Sequence, residues 1–176
     1  IAWASAKAAG VSITDIAQIS AIVHPDSAKI VCHPRTEKKE PKTPYDAKFS
    51  LPWSVAALII DGALVVETFE PESIKRPAVI ALASRFEFSE KSEVAAAAAA
   101  AGSVELTTTD GRSFSGKVAS SAGGPNNRLT LAALTEKFVL QCSNRQAAQS
   151  VADEILHIES VVQIATIAAK IATLGK

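Results

Sequence analysis

Apolar and polar positions follow two different periods along the first part of the chain. Residues 1–9 are rich in alanine and stop before Gly10, which predicts a terminal helix closed by a left-handed glycine. The β-branched residues that come next predict a strand over residues 17–24. Residues 33–44 hold three prolines and six charges and have no periodic apolar positions. We therefore expect an exposed loop at residues 33–44.

The clearest helical pattern begins at Ser50, whose side chain can cap the first turn, and ends at Gly62. Pro52 fits this first turn, because the N–H that proline lacks would have no partner there. Apolar residues recur at helical spacing between the two ends, at Leu51, Val55, Leu58 and Ile59. Residues 70–84 predict a turn and a second helix, and residues 86–88 alternate as a half-buried strand does.

Two segments in the middle of the chain carry different signals. Seven consecutive alanines at residues 95–101 favour a small surface helix, since alanine costs little to place in a helix. The alternative is that these alanines stand in for the residues of a loop. Asp110 and Gly111 lie between two alternating segments and supply the positive φ angles of a type I′ turn, which predicts a β-hairpin.

The last third of the chain is helical by pattern. Apolar residues keep helical spacing from Leu131 onward, with breaks near residues 143–144 and 159–160, so we expect three terminal helices. Together the elements predict an α+β fold, in which a small mixed sheet with a hairpin and covering helices is followed by C-terminal α-helices. We divide the chain accordingly into domains at residues 1–125 and 126–176.

Composition narrows the classes of protein that this chain could represent. Of its 176 residues 48% are apolar, which is enough to bury a core and excludes a disordered tail. Eighteen basic and eighteen acidic residues leave no net field, so we expect no nucleic acid or membrane as partner. The longest apolar stretch, residues 94–102, is far shorter than the roughly 20 residues that span a bilayer.

Cysteine and methionine usage adds two expectations. Cys32 and Cys142 are far apart and have no metal-binding or redox spacing, which suits a reducing compartment, and we predict a cytoplasmic protein. The chain has no methionine and starts at Ile1, inside what reads as a helix. We therefore expect it to be part of a longer protein.

Motifs for cofactor or metal chemistry are absent from the sequence. It contains no GxGxxG, P-loop, HExxH, GxSxG or paired CxxC pattern, so we predict neither a cofactor nor a metal. The three histidines, His24, His33 and His157, are separated along the chain. A structural role is favoured for each of them over a role as a base, although loops at strand ends often carry function.

Residues 45–53 combine several reactive groups around a predicted helix N-terminus. They include a phenol, a carboxylate, an ammonium, a hydroxyl and an indole, next to unpaired N–H groups that attract anions. This pattern predicts a site that binds a carboxylate. The alternative is that Ser50 only caps the helix, Asp46 pairs with Lys48, and the rings of Tyr45 and Trp53 fill the core.

A longer stretch around these residues carries a family resemblance. Residues 41–62 read PKTPYDAKFSLPWSVAALIIDG, and this segment resembles the MmgE/PrpD family, which includes 2-methylcitrate dehydratase, cis-aconitate decarboxylase and iminodisuccinate epimerase. Flanking features agree with it, namely the HP after the first strand, the proline-marked helix at residues 70–84, the DG hairpin and the GGPNNRLT segment before Lys137 and Phe138.

The resemblance implies a domain plan and a set of partners. It identifies residues 1–125 as an α+β lid domain and residues 126–176 as helices that return to an N-terminal helical domain outside this sequence. It also implies a small di- or tricarboxylate substrate, chemistry without a cofactor, and acid and base residues in that absent domain. We further expect a homodimer.

The resemblance also ranks the candidate site residues. Trp53 occupies the position where decarboxylase-like members have an active-site tyrosine, and an indole N–H donates a hydrogen bond without losing its proton near neutral pH. Lys48 and Ser50 are expected to bind a substrate carboxylate, and Arg35 is a weaker candidate because loop arginines are usually solvated. No catalytic residue is assigned within this chain.

Three functional hypotheses follow. The first is a lyase that removes a proton next to a carboxylate and expels water, with a substrate such as 2-methylcitrate. The second is an epimerase or decarboxylase of the same family. The third is a non-catalytic module whose terminal helices need a partner for their apolar faces.

Overall fold

The structure, a computed structural model, describes residues 1–92, 101–161 and 163–175. Nearly all of the alanine helix predicted at residues 95–101 therefore lies outside the described residues. The chain divides into two compact units, Ile1–Asn127 and Arg128–Lys176. The first unit combines helices with a mixed sheet and the second is helical, so the predicted α+β class is confirmed.

The first unit contains most of the elements that the sequence predicts. Its described helices are α1 (Ala2–Ala8), α2 (Pro25–Val31), α3 (Arg35–Lys39), α4 (Pro44–Lys48), α5 (Leu51–Asp61) and α6 (Pro77–Ala83). Its described strands are β1 (Ile16–Val23), β2 (Phe86–Glu90), β3 (Gly102–Thr108) and β4 (Ser113–Val118). The terminal helix, the first strand, the helix that follows Ser50, the helix within residues 70–84 and the strand at residues 86–88 are thus confirmed.

The described strands form a sheet in the order β2-β1-β3-β4. β1 runs parallel to β2 and antiparallel to β3, and β3 is antiparallel to β4. One row of side chains fixes the register across all four strands: Phe86, Ile19, Leu106 and Phe114 lie side by side. A shift of one residue would turn this apolar row to the opposite face, which is why the pairing is specific.

Helix α5 packs its apolar side into the core that the sheet provides. Trp53, Ala56 and Ala57 are fully buried, and they belong to one cluster with Ile19 of β1 and Phe86 of β2. The Ser50 side chain caps the helix and Gly62 closes it in the left-handed conformation, as predicted. The Asp61 carboxylate at the end of α5 accepts two hydrogen bonds of 2.7 Å from the Arg76 guanidinium, which joins α5 to the start of α6.

Residues 33–44 are exposed or half-buried except Pro41, in agreement with the prediction, but the prediction of a loop is wrong at Arg35–Lys39. The segment contains the short helix α3 and ends where α4 begins. Two of its three prolines mark helix starts: Pro34 is the N-cap of α3, and Pro44 is in the first turn of α4. Periodicity missed α3 because none of its five residues is buried.

The predicted hairpin is present, but its turn is longer than the two residues of a type I′ turn. β3 ends at Thr108 and β4 begins at Ser113, and the Thr108 carbonyl accepts a hydrogen bond of 3.0 Å from Gly111 N–H. Gly111 has φ of 85°, which a residue with a side chain rarely adopts. The four-residue turn Thr108–Gly111, whose last residue is this left-handed glycine, matches a turn with a bulge.

The second unit consists of three described helices, as predicted: α7 (Leu131–Leu140), α8 (Arg145–Leu156) and α9 (Ile164–Ala172). Thr130 and Asn144 cap α7 and α8 through hydrogen bonds of 3.1 and 3.0 Å to backbone N–H groups. Four side chains form the buried core of this unit: Ala148, Val151, Ile167 and Leu174.

This small core leaves other apolar side chains of the second unit exposed. Leu131, Leu134 and Ile164 are 64%, 52% and 67% exposed. Such a set of exposed side chains is typical of a surface that another polypeptide covers. Among the helices of the described ranges, none has the length and apolar character needed to cross a lipid bilayer.

Gly116 allows α1 to approach the sheet closely. A Cβ atom on Gly116 would lie 2.8 Å from the Ala2 nitrogen and 2.9 Å from the Ile1 Cβ, which is too close. A Cβ atom on Gly102 would lie 3.6 Å from its nearest neighbour, the Ile22 carbonyl oxygen, which is an ordinary contact distance. The variant Gly116→Ala should therefore lose about 1–3 kcal/mol of unfolding free energy through overpacking.

The variant Gly102→Ala is the matched control, because it adds the same methyl group to a neighbouring strand without a clash. Urea unfolding followed by tryptophan fluorescence measures both variants, since Trp3 and Trp53 lie in the first unit. Equal stability of the two alanine variants would show that α1 does not depend on this close approach.

Candidate functional site

The site residues that the sequence predicts lie on α3, α4 and α5 or at their ends, where these helices meet. Thr43 begins α4 through a capping box with Asp46, in which the Asp46 carboxylate accepts hydrogen bonds from Thr43 N–H at 3.1 Å and from Thr43 Oγ1 at 2.8 Å. Lys48 is the last residue of α4, and Ser50 is the N-cap of α5. Lys48 therefore lies two residues before the N-cap of α5, at the end of that helix where the dipole is positive.

The Ser50 hydroxyl forms hydrogen bonds with two backbone groups. It accepts a hydrogen bond of 3.1 Å from Trp53 N–H and donates one to the carbonyl of Lys38 in α3. Ser50 is 1% exposed. The structure therefore places this hydroxyl inside the unit, where it caps α5 and holds α3, and not on a surface open to solvent.

Trp53 is also enclosed. Its side chain has no solvent exposure and packs against Phe69, with 5.7 Å between the ring centroids. Its indole Nε1 is buried and has no hydrogen-bond partner among the described residues. A buried donor without an acceptor costs about 1–3 kcal/mol, so this N–H is a group that a water or another polar atom would stabilise.

Lys48 is exposed, and its ammonium group has no hydrogen bond or ion pair among the described residues. The alternative in which Asp46 pairs with Lys48 is wrong, because the Asp46 carboxylate serves the capping box of α4. The other part of that alternative holds for one ring only. Trp53 fills the core, whereas Tyr45 is 70% exposed and lies 4.9 Å from the ring of Phe49.

Arg35 lies on α3 and faces strand β2. Its guanidinium is 3.2 Å from the Glu87 carboxylate, donates a hydrogen bond of 3.3 Å to the Phe88 carbonyl, and stacks over the Phe88 ring at 3.9 Å. The expectation of a solvated arginine in a flexible loop is therefore wrong. The structure gives Arg35 a set of contacts with β2 that Lys48 and Ser50 do not share.

Sequence reasoning missed the charge cluster that joins α3 to β2. Glu87 accepts a hydrogen bond of 2.8 Å from Lys39 in addition to its ion pair with Arg35, and His33 is 2.8 Å from Glu90. The hydrogen bond from Lys39 is the main reason that the pKa of Glu87 lies below its ordinary value. The only sequence feature that points to this cluster is the run of charges at residues 33–42. The run does not identify Glu87 and Glu90 as the partners, because they lie about fifty positions further along the chain.

His24 and His157 make local hydrogen bonds, and Cys32 is buried. His24 Nδ1 accepts a hydrogen bond of 3.2 Å from Asp26 N–H, and His157 Nδ1 is 2.8 Å from the Asp153 carbonyl. Burial raises the pKa of the Cys32 thiol to about 11, so this thiol stays protonated near neutral pH. No three His, Cys, Asp or Glu side chains of the described residues are arranged to hold a metal ion.

Comparison with known proteins gives one family. The family model described as MmgE/PrpD C-terminal domain matches residues 2–163 of the chain. A search of curated proteins finds no significant match. The family match covers the first unit from residue 2 and continues into the second unit as far as residue 163, and it includes every candidate residue at the junction of α3, α4 and α5.

The two bonds of the Ser50 hydroxyl predict a stability effect. The variant Ser50→Ala should lose about 1–2 kcal/mol of unfolding free energy, because it removes the cap of α5 and leaves the Lys38 carbonyl without its donor. Ser54→Ala is the control on the same helix, since the Ser54 hydroxyl makes a longer bond of 3.3 Å to the Ala47 carbonyl. Urea unfolding in which both variants lose the same stability would contradict the role given to Ser50.

Proposed function

This chain belongs to the MmgE/PrpD family through its C-terminal domain, and from that premise we propose that it is part of a cofactor-independent lyase. The substrate in this proposal is a small di- or tricarboxylate such as 2-methylcitrate, and the reaction is a dehydration. Epimerisation or decarboxylation by the same family chemistry is the alternative. Dehydration and epimerisation remove a proton next to a carboxylate, and decarboxylation expels carbon dioxide. In each reaction a cationic group can hold the carboxylate substrate while negative charge develops.

The observation that carries the proposal is the uncompensated charge of Lys48. Five other cations in residues 29–48, all of which the structure describes, have partners: Lys29, Arg35, Lys38, Lys39 and Lys42. Lys48 is exposed and has none. An exposed ammonium that lacks a partner, in a segment where the other described cations have one, is suited to bind a carboxylate from solution.

The neighbouring candidates support Lys48 in different ways. Ser50 holds the first turn of α5 in place behind Lys48, and its hydroxyl becomes a ligand only if it leaves the Lys38 carbonyl. Arg35 would have to release Glu87 before it could bind a substrate. In this proposal Lys48 is the direct ligand, Ser50 and Trp53 position it, and Arg35 has a secondary role.

The proton transfer is assigned to residues outside this chain. Trp53 has an N–H that donates a hydrogen bond and does not ionise near neutral pH, so it cannot act as an acid or base. We place the base on an N-terminal helical domain, against which the apolar side chains of α7, α8 and α9 would pack. The lid role of the first unit would be to exclude water and to supply the cation.

The role of Lys48 has a direct kinetic test. In the complete protein, Lys48→Ala should weaken the binding of 2-methylcitrate by about 1–3 kcal/mol, the range for losing a charge-assisted hydrogen bond. Lys42→Ala is the matched control, because the Lys42 ammonium is exposed but already pairs with Glu40 at 2.6 Å. Michaelis constants and turnover numbers that are the same in both variants would remove Lys48 from the site.

A non-catalytic interaction module is the second candidate function. It is favoured by the exposed apolar side chains of the second unit, such as Leu131 and Ile164, which a helical domain or a second copy of the chain could cover. Turnover of 2-methylcitrate by residues 1–176, with and without an added helical domain, separates the two functions. We expect turnover only with that domain. Turnover by the chain alone would show that its base lies within these residues, and no turnover in either case would favour the module.

A further inference from the structure

Residues 33–40, which we name the strap, connect two buried anchor points. Cys32 before the strap has no solvent exposure, and Pro41 after it is buried. None of the residues in the strap itself is buried. The strap contains α3, whose five residues form a helix shorter than the length at which isolated helices are stable in water.

The strap is attached to the rest of the first unit by polar contacts and by two contacts with the Phe88 ring, from the Arg35 guanidinium at 3.9 Å and the His33 ring at 5.2 Å. Glu87 pairs with Arg35 and Lys39, and Glu90 pairs with His33. These groups are partly solvent-exposed, with 49% of the Glu87 side chain and 48% of the Arg35 side chain accessible. Exposed ion pairs contribute little to the stability of a fold, so these pairs can break without unfolding the core.

The strap covers the first turn of α5. The Lys38 carbonyl accepts the hydrogen bond from the Ser50 hydroxyl, and the Lys38 ammonium donates one of 2.6 Å to the Phe49 carbonyl. These two bonds join α3 to the residues immediately before α5. Ser50 is enclosed in the described structure at a position where the strap supplies one of its two hydrogen-bond partners.

We propose that the strap is a hinged cover, which opens between its anchors at Cys32 and Pro41 and thereby exposes the N-terminal turn of α5. Opening breaks the contacts to Glu87, Glu90 and Ser50 and uncovers the ring of Phe88, while the apolar core around Trp53 stays packed. The motion does not depend on the proposed function, because it concerns solvent access to Ser50 with or without a ligand. Its link to carboxylate binding does rest on the proposed function.

Thiol labelling measures this opening directly. In the full chain, Ser50→Cys places a thiol under the strap, and Ala57→Cys places one at a fully buried position in the middle of α5. Iodoacetamide labelling, followed by peptide mass mapping to separate these thiols from Cys32 and Cys142, gives the rate at each position. Local opening should make position 50 react at least about ten-fold faster than position 57, which opens only with the core.

Two further variants test what holds the strap closed. Glu87→Gln removes the partner of both Arg35 and Lys39 and should increase the labelling rate at position 50 by about two- to ten-fold. Glu72→Gln removes one exposed ion pair, with Lys75, away from the strap and should leave that rate unchanged. Equal rates at positions 50 and 57, or no effect of Glu87→Gln at position 50, would overturn the proposal.

Hydrogen exchange tests the same motion in the unsubstituted chain, which keeps the test valid if the Ser50→Cys chain does not fold. The Trp53 amide, whose partner is the Ser50 hydroxyl, should exchange faster than the Ala57 amide. Exchange of both amides at one common rate would mean that the strap moves only with global unfolding. Neither measurement uses a carboxylate ligand. A negative result for strap opening therefore leaves the proposed role of Lys48 untouched, and a negative result for Lys48 leaves strap opening untouched.

Discussion

The hydroxyl group of Ser50 is the contact on which the candidate site depends. It caps α5 by accepting a hydrogen bond from Trp53 N–H and holds α3 by donating one to the Lys38 carbonyl. Because one buried group serves two helices, the position of α3 and the start of α5 are fixed together. The last residue of α4, Lys48, precedes this junction by two residues, so the same contact sets where its charge is presented.

Some cations around this junction have carboxylate partners, and Lys48 has none among the described residues. Glu87 forms ion pairs with two cations of α3, and Asp46 caps α4. Lys48 is left with a charge that the described residues do not balance. In the proposed function this charge binds a di- or tricarboxylate, and the proposed opening of the strap would control access to the start of α5.

The sequence predicts the parts of this fold that rest on periodicity and caps. The helix from Ser50 to Gly62, the strand over residues 17–24 and the three terminal helices are found because apolar spacing and capping residues are local signals. Periodicity misses helix α3 because α3 buries no side chain and its ion pairs are with Glu87, which is distant in sequence. For the same reason, burial of the Ser50 hydroxyl by the Lys38 carbonyl could not be predicted.

Binding of a carboxylate at this junction is the central claim, and a titration of the isotope-labelled chain with citrate followed by amide chemical shifts tests it most directly. The account predicts that the shifts concentrate in residues 33–53, which contain the strap, Lys48 and the first turn of α5. Shifts confined to other parts of the chain, or none at saturating citrate, would contradict it.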